Sequence, residues 1–152
     1  MGDIVYLDIC CLKRPFDDAG NERVRREAEA VAAIFEAVNA GRFTLVRSPA
    51  HDFENDRNPR EDRRLATRLW LEAAAERVTV TTSATARARE LAAHGFAPLD
   101  ALHLACAEHS HARWFVTTDD RILKRAAARR GQLRIDVLRP EQVPLEAKDG
   151  DP

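Results

Sequence analysis

The chain of 152 residues carries 24 Lys and Arg against 25 Asp and Glu, and 45% of its residues are hydrophobic. A domain of this length buries about 68–70% of the surface its unfolded chain exposes, so it can build its own core without disulfides or a structural metal, and two independent domains are not expected. A formal charge of -1 excludes a generally basic nucleic-acid coat, although a local arginine stripe still suits phosphate.

The three cysteines, Cys10, Cys11 and Cys106, match neither a disulfide framework nor the CxxC spacing of a zinc ribbon, which points to a reducing compartment. Apolar stretches run to a handful of residues, far short of the roughly 20 needed to span a bilayer. Asp3 stands where a signal peptide would be basic. The expectation is a soluble, cytoplasmic protein with no membrane partner.

In chain order, Ile4, Val5, Tyr6 and Leu7 form a continuous apolar run, as in a strand buried on both faces of a parallel sheet, and Asp8 sits at its exit. After a loop over residues 14–20, apolar positions at Val24, Ala28, Val31, Phe35 and Val38 predict a long amphipathic helix ending near Gly41. A second strand over residues 43–46 follows. Ser48 and Pro49 supply the N-cap and first position of a short helix that holds Glu54 or ends just before it. Asn58 and Pro59 break the pattern. Leu65, Leu69 and Ala73 then mark an arginine-rich helix, and residues 78–80 read as a third strand.

Ser83 is placed to cap a helix that Gly95 closes in the left-handed conformation. Pro98 opens another helix, with Leu99, Leu102 and Cys106 on its apolar side, running to about His109. Residues 114–116 form a fourth strand, and Thr117, Thr118, Asp119 and Asp120 make its exit and the start of a basic helix. Gly131 and a fifth strand over residues 135–138 follow, and residues 146–152 read as a frayed tail. Strands alternating with helices imply right-handed crossovers and a mostly parallel sheet with helices on both faces, an α/β/α sandwich. Ligands in such sheets bind beyond the carboxyl ends of the strands, at a topological switch point.

Asp8 and the Asp119-Asp120 pair lie at strand exits, while Glu54 and Asp100 fall on helices after the second and third strands. If the first and fourth strands are neighbours, these acids converge. Clustered carboxylates are costly to bury as anions, and a divalent cation relieves both the desolvation and the repulsion. Oxygen ligands select Mg²⁺ or Mn²⁺, and phosphoester hydrolysis is the matching chemistry. Each acid also has an ordinary role. Asp119 or Asp120 suits a helix N-cap, Asp100 a first helical turn, and Glu54 a solvated charge run with Asp52, Asp56, Arg57 and Arg60.

Lys13, Arg14, Arg121, Lys124 and Arg125 are the cations nearest these acids in sequence and the candidates for substrate phosphate, with Thr118 a further candidate. Arg57, Arg60, Arg63, Arg64 and Arg68 make a second basic stretch whose spacing equally suits an ordinary charged helix face. His103 follows Asp100 by one helical turn. A core or hydrogen-bonding role suits it better than metal ligation, because one histidine among oxygen ligands does not define a zinc site.

Together, Val5-Tyr6-Leu7-Asp8, the run from Pro98 through Asp100 to Ala105, and Thr117-Thr118-Asp119-Asp120-Arg121 resemble the PIN domain, the fold of VapC-type toxins. The stretch from Cys10 to Asp18 is similar to a subgroup carrying a Cys-Cys-Leu-x-Arg-Pro-Phe-Asp-Asp segment. The resemblance spans residues 3–140, leaving 141–152 as a C-terminal tail. It implies a five-stranded sheet of order 3-2-1-4-5 and a Mg²⁺- or Mn²⁺-dependent ribonuclease. It places the acids on Asp8, Asp100 and Asp119, with Asp120 accessory and Glu54 the best match for the remaining acid, Asp52 competing. It also implies a small antitoxin partner and a homodimer. Ile9 and Cys10 depart from the hydroxyl residue and Asn or Ser that many members carry there.

That departure motivates one competing reading, a non-catalytic PIN-like module that binds RNA or protein. A phosphotransfer domain with Asp8 as nucleophile is another. It lacks the second acid two residues on, where Cys10 stands.

Overall fold

The computed structural model describes residues 2–17 and 20–145. Five parallel strands form one sheet of order β3-β2-β1-β4-β5: β1 (Asp3–Leu7), β2 (Phe43–Arg47), β3 (Glu76–Arg77), β4 (Trp114–Val116) and β5 (Asp136–Leu138). The chain works outward from β1 to β3 on one side and then returns to add β4 and β5 on the other. The switch point therefore lies between β1 and β4, whose register pairs Leu7 with Val116.

Strand alternation divides the core in two. Val5, Leu7, Leu45, Trp114 and Val116 face one layer, where they meet Val31, Ile34 and Phe35 of α2 (Glu22–Asn39) and Leu71 of α4 (Glu61–Glu72). Tyr6, Val46 and Phe115 face the other, packed on Leu91 of α5 (Thr82–Ala93), Leu104 of α6 (Pro98–His109) and Ile122 of α7 (Asp120–Ala128). This is the anticipated α/β/α sandwich. Tyr6 is fully buried in this layer beside the buried polar side chains of Ser48, His51 and His103, and its hydroxyl needs partners there.

Local differences from the sequence reading have local causes. A helix absent from that reading, α1 (Ile9–Lys13), starts at Asp8, whose Oδ1 accepts from the Ile9 amide at 2.9 Å. One helical turn of Ile-Cys-Cys-Leu is too short to show a period. The third strand lies at Glu76–Arg77 rather than 78–80 because the ladder with β2 sets its position, pairing Val46 with Glu76 and Arg47 with Arg77. The Val78 amide donates once more to Arg47 O, and the chain then leaves the sheet. Thr81, rather than Ser83, caps α5 by accepting from the Ala84 amide.

Other signals act as expected. Ser48 caps α3 (Pro49–Asp56), with Pro49 at its start, and Pro98 opens α6. Gly95 has φ +105°. Val143, beyond the expected domain end at 140, is buried in the α2 layer. Residues 146–152, the expected frayed tail, lie outside the described residues, as does Asp18 of the Cys10-to-Asp18 segment.

Candidate functional site

Asp8 leaves β1 at the switch point, where its amide donates to Val116 O of β4 at 2.9 Å. Its carboxylate is 5% exposed. While Oδ1 caps α1, Oδ2 accepts from Thr117 Oγ1 at 2.8 Å and from Cys10 Sγ at 3.4 Å. Burial pushes the Asp8 carboxyl above its ordinary range and the Glu54 charge adds to this, whereas His103 and the Thr117 and Cys10 donors oppose it. Cys10 thus occupies the polar position that the sequence comparison left in doubt, as a thiol donor to the first acid.

Asp100 stands in the first turn of α6. Its carboxyl is raised to about 6, first by burial and then by the charges of Asp8, Asp119 and Glu54, with His103 opposing. Four acids from four different elements therefore act on one volume. Asp119 is the N-cap of α7, its Oδ1 accepting from the Arg121 amide at 2.9 Å. Its role as a cap and its field at Asp100 are compatible, since capping engages one oxygen.

Glu54 points from α3 toward α6 and meets His103 Nε2 at 3.0 Å. Asp8, Glu54 and His103 offer one ligand atom each within 4.8 Å of one another. Asp52 turns elsewhere, pairing with Arg47 at 2.7 Å. Among the described residues no lysine or arginine pairs with Asp8, Glu54 or Asp100. Among the described residues only the exposed Arg121, 3.5 Å from Asp119, offsets the charge of the four acids, and their hard oxygen donors fit Mg²⁺ or Mn²⁺.

Asp120 does not join this group. Arg23 holds it with two bonds, at 2.9 and 2.8 Å, and Arg139 adds a third at 3.1 Å, so that the Arg23 guanidinium keeps its carboxyl below the ordinary range. Asp120, expected as an accessory metal ligand, is held in this ion pair with Arg23 of α2 and with Arg139, which precedes the final turn at Pro140–Gln142.

The cation candidates also divide. Arg14 is committed to the protein: it pairs with Asp17 at 3.0 Å and with buried Glu27 at 3.3 Å, and donates to Thr118 Oγ1 at 2.7 Å. Thr118 is buried and accepts that bond, so both of these expected substrate contacts are engaged within the protein. Arg121 is 91% exposed with a long 3.5 Å contact to Asp119. Arg121 and Arg125 line a cleft of about 240 Å³ with Asp100 and Gly95. Lys13 ends α1, and Lys124 is exposed on α7.

Sequence reasoning missed Thr117, which follows β4, is fully buried and also accepts from the Asp119 amide at 3.1 Å. It missed Glu27 and Arg23, whose helical spacing looks like any surface pair. It missed His51 too, although the Ser48-to-His51 spacing of a capping box was visible.

With this geometry in hand, comparison with known proteins places the chain. The PIN domain family model matches residues 6–129. Among solved structures the fold is similar to VapBC2 from Rickettsia felis bound to a DNA fragment from their promoter, at 11% identity and a TM-score of 0.58, covering 90% of this chain and 98% of that one. It is also similar to FitAcB from Neisseria gonorrhoeae, at 15% identity and a TM-score of 0.56, covering 91% of this chain and 99% of that one. No curated protein matches the sequence.

Proposed function

The chain belongs to the PIN domain family, and on that premise we propose that it is a Mg²⁺- or Mn²⁺-dependent endoribonuclease. The observation that carries this reading is the convergence of Asp8, Glu54, Asp100 and Asp119 from four elements at the β1–β4 switch point. Burial first and then the neighbouring charges raise the Asp100 carboxyl there to about 6, and among the described residues no lysine or arginine pairs with Asp8, Glu54 or Asp100. These four acids would hold the ion, and when bound it supplies charge neutralisation at a phosphodiester and a water of lowered pKa.

The chain's own residues prepare that chemistry. Thr117 and Cys10 fix one oxygen of Asp8, and Asp119 is anchored at the start of α7. A substrate phosphate entering beside Asp100 meets the Arg121 and Arg125 guanidinium groups across the cleft, where attraction to the backbone is independent of base identity. Arg14 acts behind the site, bracing Thr118.

We assign the chain the role of the toxin in a toxin-antitoxin pair, acting as a homodimer on RNA in the cytoplasm and opposed by a small antitoxin protein. The fold likeness to VapBC2 and FitAcB supports this reading. Among the described residues no helix is long and apolar enough to cross a membrane.

The test is incubation of the purified protein, shown free of bound partner, with structured and single-stranded RNAs in Mg²⁺ or Mn²⁺. Cleavage abolished both by EDTA and by Asp100→Asn is the expected outcome. Cleavage that survives Asp100→Asn, or intact RNA under every condition, overturns it.

A further inference from the structure

Behind Glu54 runs a chain of buried polar groups that crosses the apolar layer. Tyr6 Oη lies 2.6 Å from Ser48 Oγ and 2.6 Å from His103 Nδ1, and His103 Nε2 lies 3.0 Å from Glu54 Oε1. Tyr6 and His103 are fully buried and Ser48 is 1% exposed. Polar groups in such a place persist only when each is satisfied, and together they specify one arrangement.

The donors can be assigned by elimination. His51 Nδ1 accepts from the Ser48 amide at 3.1 Å, so the His51 proton sits on Nε2 and is donated to Leu7 O at 2.6 Å. Ser48 Oγ also lies 3.4 Å from His51 Nδ1, so the direction is set from the other end: a neutral His103 that gives Nε2–H to Glu54 accepts at Nδ1 from the Tyr6 hydroxyl, and Tyr6 Oη then accepts from the Ser48 hydroxyl. An ionised Glu54 can only accept, so His103 presents Nε2–H to it. Burial holds the Tyr6 phenol well above its ordinary range, which keeps it a donor.

We propose that His103 is a positioning residue, its tautomer set by Tyr6, whose Nε2–H fixes the Glu54 carboxylate at the metal-facing site. The inference rests on the metal-dependent reading above. Glu54 needs such a support more than the other acids do. Asp8 and Asp119 are short side chains locked by backbone amides of α1 and α7, whereas Glu54 is a long, 30% exposed side chain within a short helix, and ordering it costs rotamer entropy. A ring that cannot move holds it in place.

Mn²⁺ binding by calorimetry on the full chain tests this, with His103→Leu, His103→Gln, Tyr6→Phe, Glu54→Gln and the double variant His103→Leu/Glu54→Gln, each checked for a cooperative melt. His103→Leu is expected to weaken binding by roughly 10–100-fold, as for removal of a group that orients a ligand. His103→Gln, which retains a donor near Nε2, should recover most of the loss. The double variant should bind as Glu54→Gln does, because the two residues act as one unit.

Nitrogen NMR of His103 in the ion-free protein reads the tautomer directly, with the proton on Nε2 in the wild type and redistributed in Tyr6→Phe. This arm remains readable if His103→Leu fails to fold. Unchanged Mn²⁺ affinity in a folded His103→Leu, additive losses in the double variant, or a proton on Nδ1 overturns the proposal. Loss of the Nε2–H signal on adding Mg²⁺ does so as well, by making His103 a ligand. Wild-type protein that binds neither ion removes the metal-site reading and this inference with it, whereas wild-type binding with an indifferent His103 removes the inference alone.

Discussion

Thr117 donates its hydroxyl proton to Asp8 Oδ2 across the β1–β4 junction at 2.8 Å while its oxygen accepts from the Asp119 amide at 3.1 Å. One buried hydroxyl thus links the acids at the exits of two neighbouring strands. It explains how residues 111 positions apart in sequence hold a common geometry.

Thr117→Val keeps the shape of that side chain and removes both bonds. The variant is expected to lose about 1–3 kcal/mol of stability in urea titration, the cost of leaving buried polar groups unpaired. Thr117→Ser should retain most of it. Divalent-ion affinity should fall with the valine, since Asp8 Oδ2 then loses its hydroxyl donor, keeping only the Cys10 thiol, and its carboxyl rises further.

Asp100 makes the ion-free protein pH-sensitive in a defined direction. Its carboxyl is raised from 3.8 to about 6 on folding, so its contribution to stability is fully present below pH 3.8 and is lost as pH rises through 6. Asp100→Asn should therefore stabilise the protein in EDTA at pH 7.5, by about 1 kcal/mol after allowance for solvent screening at this half-buried position. That corresponds to about 2–4 °C in Tm, shrinking toward zero near pH 4. Added Mn²⁺ should reverse the order, raising the wild-type melt and leaving the variant's unchanged.

Asp119 and Asp120 are adjacent yet should behave oppositely. Asp120→Ala breaks an exposed pair with Arg23 and Arg139 and should leave Mn²⁺ affinity and the melting curve little changed. Asp119→Asn preserves the N-cap of α7, as asparagine caps about as well as aspartate. It should nonetheless weaken Mn²⁺ binding by at least an order of magnitude. Calorimetry on the two variants checks both outcomes.

Glu27 is 1% exposed and pairs with both Arg14 and Arg23. Glu27→Ala strands a partly buried guanidinium beside Thr118 and is expected to cost about 3–5 kcal/mol in urea titration. A loss within experimental error would show that Arg14 finds Asp17 or solvent a sufficient substitute.

Several parts of the site were legible in local chemistry. An acid directly after a four-residue apolar strand, an acid at a strand exit before a basic helix, and Pro98 opening a helix with Asp100 in its first turn are short-range patterns. Steric limits on proline and the demands of helix ends produce them wherever they occur. Strand β3 and helix α1 escaped the same reading. The position of β3 follows from hydrogen bonding to β2, and α1 exists because Asp8 caps a single turn against the sheet.

The family resemblance preferred Asp119 to Asp120 and Glu54 to Asp52, but the physical difference within each pair, and between a bracing Arg14 and an exposed Arg121, came from tertiary structure. Their sequence contexts are nearly equivalent runs of charge. Direction decided between them: a helix turns each successive side chain by about 100°, so two neighbouring acids face different partners. The element docked against each face then determines whether an acid meets an arginine, as Asp120 meets Arg23, or a buried imidazole, as Glu54 meets His103. By itself the sequence determined which residues could carry charge and where strands and helices begin. Only packing, which brings Tyr6 and His103 together across 97 positions, decided which of those charges share a site.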